Sequence, residues 1–257
     1  MRDAGAYLDR IGYRGDFAPT VEKLRALHLA HLRTVPFENL DVGLGRPIGL
    51  DEGALFEKIV RRRRGGFCYE LNGLFAALLR ALGFDVSLLA AQFPREAERV
   101  APEFDHLTLL VRTAAGDGSW LADVGAGRGS IAVPLPAESD EEMWQPKAGA
   151  AFRLAWEEGR RRLWRREPGG EWEREYVYSL RPHALEDFAE GCRYHQTSPD
   201  SGFTRGRICT LATPGGRVTL ANRRLIVTEG GVRSERELDE AGARAALRTR
   251  FGIEPDR

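Results

Sequence analysis

From Phe67 to Leu82 the chain places Leu71, Leu74, Phe75, Leu78, Leu79 and Leu82 at alternating spacings of three and four residues. That spacing lines one broad face of an α-helix with apolar side chains, a face that folding must cover. Arg80 in the last turn and Gly83 just after it supply the stop. At Gly83 the period changes: VSLLAAQF, HLTLLVRT, WLADVG, AFRLAW, RRLWRR and EYVYSL are short, rich in β-formers and separated by turn signals such as AAGDGS, EEG and PGG. A meander or small barrel therefore follows the helix. Before it, Thr20 is positioned to cap a helix carrying Val21, Leu24, Leu27 and Leu32, and Asp51 another carrying Leu55, Phe56, Ile59 and Val60. After a short helical stretch around Leu185 to Glu190, the strands RICTLA, RVTLA and RLIVT return with PGG and EGG turns, and a helix from Glu237 to Phe251 closes the chain. The expectation is an α+β protein in three units: a helical domain at 1–84, a strand-rich domain at 85–190 and a mixed α/β domain at 191–257.

At 257 residues and 42% hydrophobic content, such a chain buries a substantial core. Basic and acidic residues balance at 38 each, so no global field draws nucleic acid or an anionic membrane surface, and any anion site must be local. The opening MRDAGAYLDRIGYRG lacks the pattern of a signal peptide, and no apolar stretch approaches the ~20 residues that span a bilayer. A cytoplasmic protein is expected. Cys68, Cys192 and Cys209 form neither a CxxC pair nor an even framework, which argues against structural zinc and against a disulfide scaffold. The run Arg61 to Arg64 reads as a solvated helix end.

Cys68 lies in RRRRGGFCYELNGLF, where two glycines permit a tight turn and the thiol falls in the first turn of the leucine-rich helix. Unpaired N–H groups and partial positive charge at a helix start favour thiolate over thiol. Alone, the residue is equally compatible with a small apolar side chain packed under the helix. A nucleophilic thiolate needs a base, and the base needs an orienting carboxylate. His106 opens FDHLTLLV and Asp123 ends WLADVG, so a hairpin between these runs brings both side chains to one edge of a sheet. Taken singly, such a His106 is more often a backbone partner than a catalyst, and such an Asp123 more often a turn residue. His28 and His31 fall on a helix, His183 and His195 in loops, and none has a motif of its own.

GGFCYELNG, the FDHLTLLV histidine, LADVG and the upstream VPFENLD resemble the arylamine N-acetyltransferases in the family's order, and YHQTSPDSGFTRGR resembles a less specific pattern of its third domain. The resemblance implies a cysteine-protease-like core, with a helical first domain, a β-barrel second domain and an α/β lid. It implies a Cys68, His106 and Asp123 triad that transfers acetyl from acetyl-CoA, as co-substrate, through an acetyl-cysteine to an arylamine or hydrazine in a ping-pong reaction, without a metal. Phe37, Tyr69 and Phe203 match positions associated with substrate, and Gly125, Ala126 and Gly127 are candidates for contact with CoA. Glu38 and Arg64 match shared positions, and an ion pair between them would tie VPFEN to the catalytic turn. The chain departs at Ala126, where family members usually carry an aromatic residue, which implies a wider acceptor site.

A relative that takes a long acyl chain from a carrier protein and closes a macrolactam would keep the same triad and suit that wider site. A methyltransferase reading of LADVGAGRGS, as a glycine-rich loop for S-adenosylmethionine, requires a helix to follow, whereas IAVPLP cannot start one. A non-enzymatic binding protein would leave Cys68 unreactive.

Overall fold

A computed structural model of the chain describes residues 1, 3–16, 18–94, 102–113, 116 and 118–254. Ala114, Ala115 and Asp117 of the expected AAGDGS turn lie outside the described residues. Thr20 caps Val21–Thr34, its hydroxyl accepting from the Lys23 N–H at 3.4 Å. Asp51 caps Glu52–Phe56 through Ala54 N–H at 3.0 Å, and this helix runs on into one π-helical turn, Glu57–Arg61. Arg63 then adopts a positive φ of 51° and turns the chain toward the two glycines. The leucine-rich helix is Cys68–Ala81, stopped as expected with Gly83 at φ 90°. A further helix, Ala4–Ile11, precedes these.

The larger sheet has eight strands, every neighbouring pair antiparallel where they are hydrogen-bonded, in the order Leu135–Pro136, Ser119–Ala122, His106–Arg112, Asp85–Gln92, Glu173–His183, Arg160–Arg166, Ala150–Glu157, Met143–Gln145. It curls around its own core of Leu89, Leu110, Leu121, Phe152, Leu163 and Tyr176. Alternation along two strands divides the labour: Val86, Leu88, Leu107, Leu109 and Val111 pack against the helices, while Leu89, Ala91 and Leu110 face the barrel interior. Both faces of these strands are thus covered, which is why HLTLLV is an unbroken buried run. The α+β expectation holds, with a barrel-like sheet beside a helical layer.

The smaller sheet is ordered Phe37–Glu38, Ile208–Thr213, Gly216–Ala221, Arg224–Glu229, Val232–Glu237. Its core is shared with the closing helix. That helix spans Glu240–Phe251 rather than starting at Glu237, because Asp239 accepts from Gly242 N–H at 2.7 Å and residues 232–237 form an edge strand instead. The stretch near Leu185 is a 3₁₀ turn, Leu185–Phe188, followed by the helix Ala189–Thr197. Among the described residues no helix is long and apolar enough to cross a membrane.

Candidate active site

The turn before Cys68 is built by contacts that only glycine permits. A Cβ on Gly65 would stand 1.9 Å from Pro36 O, and one on Gly66 would meet the Glu70 carboxylate at 2.7 Å. The short strand Phe37–Glu38 runs through this gap: Glu38 N–H donates to Gly66 O at 2.9 Å, and on its other side Phe37 pairs with Thr210. Asn39 completes the splice, donating to Phe203 O and Gly206 O at 2.9 and 2.7 Å and accepting from Ile208 N–H at 2.7 Å. The VPFEN segment therefore joins the smaller sheet to the Cys68 turn. Arg64 donates to Glu38 Oε1 through Nε and Nη2 at 3.1 and 2.9 Å, and both side chains are buried. Lys58 bridges Asp41 and Glu70 at 2.8 and 2.7 Å, and Glu70 reaches back to the Phe67 N–H at 3.1 Å. Burial pushes the Glu70 carboxyl up to about 7 against the opposing pull of Lys58.

The hairpin expected from FDHLTLLV and WLADVG forms, with Leu109 across from Ala122. Continuing that register sets Asp123 opposite Thr108, one pleat period from His106 and on its face. His106 Nε2 lies 2.7 Å from Asp123 Oδ2, and both side chains are 1% exposed. Past the strand end at Ala122, side chains take over the ladder. Asp123 N–H donates to His28 Nε2 (3.1 Å), Val124 N–H to Asn72 Oδ1 (2.9 Å) and Gly125 N–H to Asp123 Oδ1 (2.8 Å). Asn72, one turn after Cys68 on the same helix, also donates to Leu107 O and Asp123 Oδ1 at 2.6 and 2.9 Å, fastening the helix to the strand. Burial alone would raise the Asp123 carboxyl, but His106, Asn72 and Gly125 outweigh it and hold it below the usual range. Phe93 and Tyr176 pack on His106, ring centres 5.0 and 5.1 Å away.

Cys68, His106, Phe37, Phe203, Gly125, Ala126 and Gly127 line one cavity of about 850 Å³. Tyr69 is not part of its lining: it is fully buried, and its hydroxyl donates to Phe104 O and Asp105 O at 2.6 and 3.0 Å. Gly125 is demanded by packing, since a Cβ there would come within 2.8 Å of Cys68 Cα. Arg128, Arg205, Asp105 and His195 complete much of the polar wall. His195 is in the helix Ala189–Thr197, not in a loop, with Nδ1 3.0 Å from Ser201 Oγ and Nε2 3.2 Å from Asp105 Oδ1. His183 likewise ends a strand.

The electrostatics of Cys68 differ from the sequence expectation. Burial pushes its thiol well up, a backbone hydrogen bond with Leu107 pulls it down, and the carboxylates of Asp105 and Asp123 push it further up. The helix start does not decide the matter, because desolvation of a lone thiolate outweighs a partial charge. Among the described residues no group of three or more His, Cys, Asp or Glu side chains is arranged to hold a metal ion.

A family model described as N-acetyltransferase matches residues 20–257. Over 98% of this chain and 92% of its own length, an arylamine N-acetyltransferase of Mycolicibacterium smegmatis is 36% identical. The chain belongs to the arylamine N-acetyltransferase family. The solved arylamine N-acetyltransferase of Salmonella typhimurium is 33% identical and superposes with a TM-score of 0.92 over 100% of this chain and 93% of that one. A Mycobacterium marinum arylamine N-acetyltransferase solved in complex with CoA is also 33% identical, with a TM-score of 0.89 over 98% and 93% of the two chains. Within this arylamine N-acetyltransferase fold the DVGAGRG loop makes only a 3₁₀ turn, Gly127–Gly129, before a short antiparallel strand, which removes the methyltransferase alternative. Sequence reasoning passed over Asn72 and Asp105 and gave His28 and His195 no role. The available signal was a polar side chain on an otherwise apolar helical stripe, as at Asn72 among the leucines and His28 beside Leu24 and Leu27.

Proposed function

We propose that the chain acetylates arylamines and hydrazines from acetyl-CoA by a ping-pong reaction through an acetyl-cysteine at Cys68, with His106 as the base and Asp123 as its orienting carboxylate. The observation that carries this reading is that His106, held 2.7 Å from Asp123, lines the same cavity as Cys68. Burial opposes an isolated thiolate, but a proton passed from Cys68 to His106 leaves the net charge of the pair unchanged, and Asp123 then faces the imidazolium. The thiolate attacks the thioester carbonyl, and CoA departs as its thiol with the proton from His106. An amine next attacks the acetyl-cysteine, His106 takes its proton, and Cys68 leaves as thiolate. The Cys68 N–H, without an intrahelical acceptor in the first turn, supplies an oxyanion donor. Phe37 and Phe203, whose rings touch with centres 5.9 Å apart, form one aromatic wall for a flat acceptor. Gly127 and Ala126 border the donor's path, and the complex of the M. marinum relative with CoA supports a CoA donor. In this reading residues 1–84 carry the nucleophile, 85–190 the base and its carboxylate, and 191–257 the remaining wall.

Incubation with acetyl-CoA is expected to add one acetyl group to the intact mass of the wild-type protein and none to Cys68→Ala. Iodoacetamide at mildly acidic pH is expected to label Cys68 ahead of Cys192, whose thiol burial pushes up to about 12, and of buried Cys209. Equal labelling of all three would overturn the assignment. Ala126 in the wall of so large a cavity favours one second reading, an amide synthase fed by a carrier protein. That reading predicts no mass change with acetyl-CoA and acylation of Cys68 by a carrier-bound thioester.

A further inference from the structure

The loop that forms one side of the cavity begins at Asp123 and runs through Gly125, Ala126, Gly127 and Arg128 to Ala132. Its two ends meet on one side chain. At the first, the Asp123 N–H donates to His28 Nε2 at 3.1 Å; at the second, Ala132 O lies 3.3 Å from His28 Nδ1. The partners determine the tautomer: a backbone N–H can only donate, so Nε2 is bare, and a carbonyl can only accept, so Nδ1 carries the proton. Burial, complete for this side chain, holds the imidazole neutral and lowers its pKa to about 4, which keeps that acceptor available. Phe75 closes on the ring edge-on, centre to centre 6.1 Å, so the ring has little freedom to rotate away.

We infer that His28 is a positioning residue for acyl transfer, a clasp that sets the span of the 123–132 loop and the backbone of Asp123, and through them the aim of the carboxylate at His106. The inference rests on the reading of Cys68, His106 and Asp123 as the reacting set. Other acceptors share the task only in part. Asn72 takes the N–H of Val124, and Gln145 takes those of Ala132 and Val133 at 2.7 and 3.1 Å, but His28 touches both ends. Without its acceptor, the Asp123 N–H would be buried beside His106 with no partner from this ring, and the strand end would shift to satisfy it. A shift of a fraction of an ångström there changes the His106–Asp123 geometry, to which proton transfer is sensitive.

The test compares His28→Phe with His28→Gln in the full chain. A glutamine amide offers an acceptor and a donor at about the separation of the two ring nitrogens, so it can close the same clasp, whereas phenylalanine only fills the space. His28→Phe is expected to lower kcat about tenfold to a hundredfold with little change in the KM for acetyl-CoA, and to move the pH profile of Cys68 alkylation to higher pH. His28→Gln is expected to restore most of both. A folded His28→Phe protein with the wild-type profile and kcat overturns the clasp, as does a His28→Gln protein no better than His28→Phe. If the wild-type protein transfers no acetyl group from acetyl-CoA, the proposed reaction fails while the alkylation profiles still judge the clasp. Should His28→Phe not fold, the ¹⁵N shifts of the His28 ring in the wild-type protein decide: a protonated Nδ1 with a bare Nε2 supports the clasp, and the opposite tautomer overturns it.

Discussion

The central strands of the larger sheet and the outer edge of the smaller one handle polar side chains in opposite ways. In the larger one, the strands Asp85–Gln92 and His106–Arg112 are covered on both faces, and His106, Thr108 and Asp123 are each buried against fixed partners. In the smaller one, every residue of the edge strand Val232–Glu237 is exposed, and its arginines and glutamates pair at the surface. Where water is excluded, a polar atom needs a specific partner at a specific distance, and the loss of one partner is felt. At a solvated edge, water substitutes for whatever is removed. The proposed reaction groups His106 and Asp123 belong to the first environment, while the smaller sheet closes the cavity with Thr210 and Ile208.

The sharpest way to break that contrast is Asp123→Asn. The Asp123 oxygens accept from three donors: Asn72 Nδ2, the Gly125 N–H and His106 Nε2. An asparagine has one accepting oxygen, so its amide must face a donor or force His106 into the other tautomer. We expect kcat to fall about a thousandfold or more with the fold intact, as measured by steady-state transfer and circular dichroism. A loss of less than about tenfold would show that burial of the couple does not matter to the reaction.

Next in size is Arg64→Met, which leaves Glu38 buried at 1% exposure without its main partner. Breaking a buried pair from one side costs about 3–5 kcal/mol, against near neutrality when both partners become apolar together. Urea titration of Arg64→Met and of the double variant Glu38→Leu/Arg64→Met is expected to show the double variant as the more stable. The reverse order would mean that the pair stabilises beyond its own desolvation.

Acid should act through the buried histidines. Burial lowers His28 from 6.5 to about 4 and drives His31 well below 6.5. A base with a lowered folded pKa takes up its proton first in the unfolded chain, so this contribution is whole above about pH 6.5 and is lost as the pH falls toward 4. For His28 alone the change amounts to about 3 kcal/mol over that window. Urea midpoints at pH 7.5 and 4.5 are expected to separate more in the wild-type protein than in His28→Gln; equal separations would show that the ring is protonated without penalty.

These examples also show what a sequence makes visible. Local signals held: the leucine spacing marked the helix at Cys68, Thr20 and Asp51 marked caps, and the β-rich runs around His106 and Asp123 marked a hairpin. Each of those depends on neighbours a few residues apart. What stayed hidden depends on distant ones: His28 meets Asp123 across 95 residues, Asn72 meets it across 51, and His195 meets Asp105 across 90. Cys68 fails in the same way, because its helix start is local but the burial that raises its thiol comes from elements far along the chain. Arg64 stands in a run that reads as solvated, yet the approach of Phe37–Glu38 buries it, in the ion pair with Glu38 that the family resemblance implied. The edge strand Val232–Glu237 escaped because alternating charges present no apolar face for a period to reveal.

That edge strand yields the smallest expected effect and the cleanest control. Glu235 stands across from Ile226 on the neighbouring strand, approaches Arg224 at 3.6 Å and accepts from Arg233 Nε at 2.8 Å. Removing it with Glu235→Ala breaks both contacts, but each is open to solvent, where a pair of long side chains gains little over hydrated charges. Stability is expected to change by no more than about 0.5 kcal/mol and kcat not at all, by urea titration and steady-state transfer. The charges still have a task, since an exposed strand edge without them is a template for pairing with another chain. Replacing Arg233 and Glu235 together by valine should therefore leave the unfolding midpoint nearly unchanged while lowering the concentration at which light scattering detects association. A loss of several kcal/mol in unfolding free energy would instead place this edge in the same class as the buried pair at Arg64, and the contrast between buried strands and solvated edge would fail.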